Sequence, residues 1–151
     1  MKIYVASSWR NSRQPEVVRV LRSLGHTVYD FKNPEPRTGF AWREIDPNWQ
    51  SWGYEQYLSA LQHERAEEGF RSDMHALSTS DICVLVLPCG RSAHLELGYA
   101  VGIGLQTAIL LDDVQQNEPE LMYKMVGWIG TDLDKLGRHL SPIQSAVAVL
   151  P

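Results

Sequence analysis

Apolar and polar positions follow each other along this chain in two rhythms. Residues 2–6 (KIYVA), 26–31 (HTVYDF), 82–87 (ICVLVL), 106–111 (QTAILL) and 126–129 (VGWI) are short runs rich in Val, Ile and Leu, which predict strands. The run at 82–87 has no polar alternation, as expected of a strand buried on both faces of a parallel sheet. Between the runs the apolar spacing becomes helical. Val17, Val18, Val20, Leu21 and Leu24 give residues 15–24 a buried face that ends at Gly25. Residues 54–78 read as largely helical with a break near Gly69. Tyr54, Tyr57, Leu58, Leu61 and Ala66 form one apolar face there, and Phe70, Met74 and Leu77 another.

Beyond Pro88-Cys89-Gly90-Arg91, Ser92 is placed to cap a helix in which Ala93, Leu97, Ala100, Val101 and Gly104 recur, with Gly98 and Gly102 available for close packing. A short helix is predicted at 118–124 with Pro119 in its first turn, and a last one at 131–140 capped by Thr131 or Asp132. The fourth strand runs into Asp112-Asp113. A βα unit repeated about five times predicts one α/β domain over residues 1–151: three layers, doubly wound, with five parallel strands in flavodoxin-like order.

The rhythm fails between residues 32 and 53. Pro34, Pro36, Gly39 and Pro47 interrupt it, and Phe40, Trp42, Trp49 and Trp52 supply a dense set of rings. Structureless loops of this length often serve as lids. Trp42 and Trp49 either stack on a flat heterocycle or tack the loop onto the core.

Composition narrows the function classes. The 151 residues suffice for one domain with a sizeable core. A formal charge of −4, without a Lys/Arg run, argues against a nucleic-acid surface and for a small-molecule partner. No stretch reaches the roughly 18 apolar residues of a membrane span, and MKIYVASSWR lacks a signal peptide's apolar segment, so a cytoplasmic location is expected. Cys83 and Cys89 lie too close on one element for a disulfide framework and read as reduced thiols.

Candidate chemistry collects at the carboxyl ends of the strands, where open α/β sheets bind ligands. Glu96 falls in the first turn or so of the helix after the central strand, where the positive end of the dipole would keep it ionised, as suits a nucleophile or a cation-stabilising group. The alternative is a favourable helix-start charge. After residues 2–6, the Ser7 and Ser8 hydroxyls, backbone N–H groups and the Arg10 guanidinium suit a phosphate, or else form a capped turn with a solvated arginine. Asp30 either meets a ligand or starts the next loop, and Asp73 and His75 read as surface residues on spacing alone. Metal-ligand spacing, a nucleophile elbow, a dinucleotide glycine fingerprint and a Walker lysine are all missing. Cys89, near a helix start, is a weak candidate thiolate because the sequence places no histidine to serve it.

Three segments, Ile3-Tyr4-Val5-Ala6-Ser7-Ser8-Trp9, Ser72-Asp73-Met74 and Leu95-Glu96-Leu97-Gly98-Tyr99-Ala100, together resemble the nucleoside 2-deoxyribosyltransferase family, which includes the 2'-deoxynucleoside 5'-phosphate N-hydrolases. The resemblance covers roughly the first 125 residues in element order, and its specific part is the E-L-G-Y-A segment with the preceding strand. It implies cleavage of the N-glycosidic bond of a (deoxy)nucleoside or nucleoside 5'-monophosphate. Glu96 would be the nucleophile forming a glycosyl-enzyme, as carboxylates do in retaining glycosidases. Asp73 matches the aspartate that binds or protonates the departing base, and Tyr4 an active-site tyrosine near the sugar. Trp9 closes the first motif and is carried with the substrate-binding set.

One departure directs the expectation further. The transferases carry an aspartate six residues before the nucleophile, and here that residue is Gly90. The hydrolases carry a phosphate-binding serine in this region, while here Ser92 follows Arg91, and Ser8 and Arg10 align with phosphate-binding residues of the first loop. A 5'-phosphorylated substrate and hydrolysis over base exchange are therefore expected. The alternatives are a transferase proper, a TIR-like NAD glycohydrolase, whose tryptophan-cysteine pair before the glutamate is missing here, and a non-catalytic nucleotide sensor. The resemblance also implies a homodimer or higher homo-oligomer, and no metal or organic cofactor.

Overall fold

A computed structural model describes residues 1–35, 39–112 and 119–141. Five parallel strands, β1 (Lys2–Ala6), β2 (Thr27–Asp30), β3 (Ile82–Val86), β4 (Gln106–Leu110) and β5 (Trp128–Gly130), form one sheet in the order β2-β1-β3-β4-β5. The expected flavodoxin-like order is the one observed. Among the described residues no helix is long and apolar enough to cross a membrane.

Side chains alternate across a strand, so each strand feeds both faces of the sheet. Ile3, Val5, Val84, Val86, Ala108 and Leu110 face one side and pack on Val17, Val18 and Leu21 of α1 (Gln14–Ser23) and on Leu136 and Leu140 of α5 (Leu133–Leu140). Tyr4, Ala6, Cys83, Leu85 and Ile109 face the other, beneath Leu77 of α3 (Glu64–Ser78) and Ala93, Leu97 and Ala100 of α4 (Arg91–Gly102). The middle strand β3 is buried along its whole length, in agreement with its uninterrupted apolar run.

Several boundaries differ from the sequence expectation for local reasons. The long helical stretch divides at Gln62-His63 into α2 (Tyr54–Leu61) and α3, because His63 turns extended and its Nδ1 accepts the Arg65 N–H, starting a new helix. Gly69 does not break the helix. It lies within α3, where a Cβ would stand 2.9 Å from the Cβ of Phe40, so the glycine admits the loop. Gly90, and not Ser92, occupies the N-cap of α4, with no side-chain cap. Gly98 and Gly102 support no close packing, since a Cβ at either would meet nothing within 4 Å.

Asp132 caps α5 by accepting the Lys135 N–H. The short helix expected near 118–124 is a 3-10 turn, Leu121–Met125, committed by the Glu120 carboxylate taking the Met122 N–H. Asp113, Glu118 and Pro36 lie outside the described residues. The ring-rich loop contains two 3-10 turns, Trp42–Glu44 and Trp49–Ser51.

Candidate active site

Two loops at the carboxyl edge of the sheet are stitched together before any ligand is considered. Asn11, buried, donates from Nδ2 to Ser7 Oγ (3.0 Å), Val86 O (3.1 Å) and Pro88 O (3.1 Å), and its Oδ1 accepts the Arg13 N–H. Ser7 Oγ also donates to Val86 O at 2.8 Å. The Arg13 guanidinium reaches Leu111 O and Thr131 O. The β1–α1 loop is thereby fixed beside the start of α4.

These bonds sort the candidates. Ser7 is consumed in the stitching. Ser8 accepts the Arg10 N–H, Arg10 is exposed, and Trp9 packs edge-on to Phe31 and against Gly39. Opposite them Gly90, Arg91 and Ser92 are exposed at the uncapped start of α4, where the first N–H groups of a helix have no internal acceptor. Asp30 is engaged within the chain. Its carboxylate is buried and takes hydrogen bonds from Gln14 Nε2, the Lys32 N–H and Asn33 Nδ2, which start the next loop.

The two acids of interest meet between α3 and α4, over β1 and β3. Glu96 lies in the second turn of α4, not the first, so the helix dipole falls short of controlling it. Burial, then the charge of Asp73, push its carboxyl up to about 8, partly offset by the Tyr4 hydroxyl. The expectation of a fully ionised glutamate is corrected accordingly. Asp73 is also raised, by burial, with the Tyr29 hydroxyl pulling the other way. Tyr29 donates to Asp73 Oδ1 at 2.7 Å, lies 3.1 Å from Ser72 Oγ, and stacks on Tyr4 with ring centroids 5.4 Å apart.

The Tyr4 hydroxyl is fully buried. It has no hydrogen bond of regular geometry, although it stands close enough to Glu96 to favour the ionised form. Burial and the two carboxyl charges hold the phenol far above its ordinary range, so it remains protonated.

The other side of α4 is chemically distinct, because His94 and Glu96 point roughly 200° apart around the helix. A histidine does reach Cys89. His94 Nδ1 lies 3.5 Å from Cys89 Sγ and 3.1 Å from Gly90 O, and its Nε2 lies 2.9 Å from the Tyr123 hydroxyl. A carbonyl oxygen only accepts, so Nδ1 carries the proton and Nε2 accepts from Tyr123. Burial and the Glu96 charge push the Cys89 thiol up to about 12, which leaves it a thiol.

Trp42 and Trp49 sit away from the carboxyls. Trp42 packs on Phe40, Trp52 and Tyr57, and Trp49 is half-buried in its 3-10 turn. The small cavity that borders Asp73 is lined by Phe40 and not by either tryptophan.

Sequence reasoning gave no role to Tyr29 or Asn11, and it carried Ser72 only within a motif and Phe40 only among the loop rings. Tyr29 was within reach: its run alternates, and parallel pairing of the first two strands sets it opposite Tyr4. Asn11 offered no signal, because its partners are 75 and 77 residues away.

No protein-family model matches the sequence, and no curated protein matches it. Solved structures do match. A 2-deoxyribosyltransferase from the psychrotolerant bacterium Bacillus psychrosaccharolyticus is 22% identical with a TM-score of 0.59, covering 91% of this chain and 90% of its own. The CMP N-glycosidase BcmB of Clostridium botulinum is 14% identical with a TM-score of 0.55, covering 93% and 98%. At these identities the likeness establishes a shared fold over nearly the whole of each chain.

Proposed function

We propose that the protein cleaves the N-glycosidic bond of a nucleoside 5'-monophosphate, with Glu96 as nucleophile and water as the favoured acceptor. The observation that carries this reading is that Glu96 of α4 and Asp73 of α3 lie on the same side of the sheet as Tyr4, both raised by burial, with the Asp73 charge adding to the rise at Glu96. Such pairs divide into nucleophile and acid. The fold shared with a deoxyribosyltransferase and a CMP N-glycosidase supports it.

In the first step a Glu96 oxygen bonds to the anomeric carbon as the C–N bond breaks, and its electron pair leaves with the base. Asp73, whose affinity for a proton is raised by burial, supplies a proton to that base. Tyr4, beside Glu96, donates to the carboxylate or to the sugar. In the second step water attacks the anomeric carbon, the glycosyl–Glu96 bond breaks, and the water proton passes to Asp73. The uncapped start of α4 at Gly90, Arg91 and Ser92, together with Ser8 and Arg10, suits the 5'-phosphate.

The same reading includes a homo-oligomer. The outer face of α4 carries Leu95, 75% exposed, with Tyr99 and Ile103 beside the open Gly98 and Gly102, an arrangement suited to a second copy. Light scattering should give a dimer or larger, and Leu95→Asp should shift it towards monomer.

A chromatographic release assay tests the activity, using nucleosides, their 5'-monophosphates and NAD, with and without a second free base. Free base from monophosphates supports the proposal. Exchange only with an acceptor would replace hydrolysis by transfer, nicotinamide release would point to NAD, and binding without release would leave a sensor.

A further inference from the structure

The cavity bordering Asp73 has a volume of about 180 Å³ and includes Tyr29, Gly39, Phe40, Gly69 and Ser72 in its wall. An apolar cavity of roughly 150 Å³ takes up one benzene. The volume therefore matches a single six-membered ring with small substituents better than a fused bicycle. Asp73 belongs to this cavity and its charge is felt at Glu96, so a ring seated there lies beside one carboxyl of the pair.

What makes the size a selection is the stiffness of the Phe40 wall. Phe40 lies on Gly69, where the missing Cβ would stand 2.9 Å from its own. The Arg65 guanidinium covers its ring at 5.6 Å, and Trp42 meets it edge-on at 4.8 Å. Arg65 is held in turn by Glu44 and by Gly39 O, and Glu44 by the Ala41 N–H. A ring packed against three neighbours resists displacement by a larger ligand.

Resting on the glycosidase reading, we propose that Phe40 is a specificity-determining residue that restricts the leaving group to pyrimidine size, so that pyrimidine nucleotides are substrates and purine nucleotides are rejected. Trp42 acts through Phe40 and is a positioning residue. Trp42, expected to stack on the base or to tack down the loop, serves here as a buttress of the Phe40 wall, with Trp52 edge-on behind it.

The test combines turnover with binding. Wild-type kcat/KM is measured for base release from CMP, dCMP, AMP and dAMP, and Kd for the same four by calorimetry on Glu96→Gln. The expected preference for the pyrimidines is about 10- to 100-fold in both, the range a fitted pocket gives against an oversized group. Phe40→Leu, which keeps most of the packing, should narrow the ratio several-fold by improving the purine values, and Phe40→Ala should narrow it further if it folds. Equal or better purine values in wild type, or an unchanged ratio in Phe40→Leu, would overturn the assignment. Absence of turnover with a pyrimidine binding preference intact would remove the glycosidase reading alone. Absence of binding by all four would remove both.

Discussion

The two faces of the sheet are built from alternate residues of the same strands, and they differ in kind. Towards α1 and α5, Ile3, Val5, Val84, Val86, Ala108 and Leu110 pack on aliphatic side chains of the two helices, with Trp128 against the cluster. Towards α3 and α4, Tyr4 and Cys83 replace aliphatics, and Glu96, Asp73 and Tyr29 close over them. Both faces bury apolar area, but the second also holds ionisable groups where their charged forms are disfavoured, with burial the leading cause for each. On the first face burial is of aliphatic groups, and on the second it carries the cost of holding ionisable groups away from water.

Substitutions at equivalent depth on the two faces should separate these roles. The largest expected effect is at Glu96: Glu96→Gln should lower kcat by at least about 10³-fold, as loss of a nucleophile does, with an unchanged circular dichroism spectrum. Turnover near wild type would break the comparison. On the aliphatic face Leu21→Ala should cost about 2–5 kcal/mol in denaturant unfolding, while kcat below the transition stays within about twofold of wild type.

The comparison can be sharpened by pH. If Glu96 is the nucleophile it must ionise to attack, and with its carboxyl raised to about 8 the limb of kcat/KM set by this group should rise about tenfold per pH unit as pH approaches that value from below. Stability should move the other way. The folded pKa lies above the unfolded one, so this group favours folding fully while protonated, at low pH, and the advantage is lost as pH rises from about 4.5 through 8. Thermal melts from pH 5 to 9 should therefore fall less steeply for Glu96→Gln than for wild type, and parallel curves would remove burial as the source of the shift.

A smaller effect is expected at the rim. Arg10→Ala should weaken binding of nucleotides about tenfold more than of nucleosides if its guanidinium grips the phosphate. Equal losses would return Arg10 to the solvated reading.

How far the sequence could be read depended on the range of the interaction. Strands β1, β3 and β4 were legible as Val- and Ile-rich runs, and helix α1 as a helical stripe with Pro15 near its start. Asp132 was legible as a cap because its partner, Lys135, lies three residues on. Gly69 misled: a glycine in a helix looks like a stop, and its true reason is Phe40, brought over from a loop with no periodicity. Cys89 misled in the opposite sense, since His94 is five residues away and the contact depends on the turn between them.

By itself the amino-acid sequence determined the order of strands and helices, and through side-chain parity it determined which residues share a face of the sheet. Those are consequences of backbone geometry and hydrophobic burial acting over a few residues. Tertiary structure alone decided that Tyr29 supports Asp73 across 44 positions, that Asn11 joins two loops across 75, and that Glu96 is pushed towards neutrality. A carboxyl's burial and neighbours exist only once α3 and α4 have packed, so its acidity is a property of the fold.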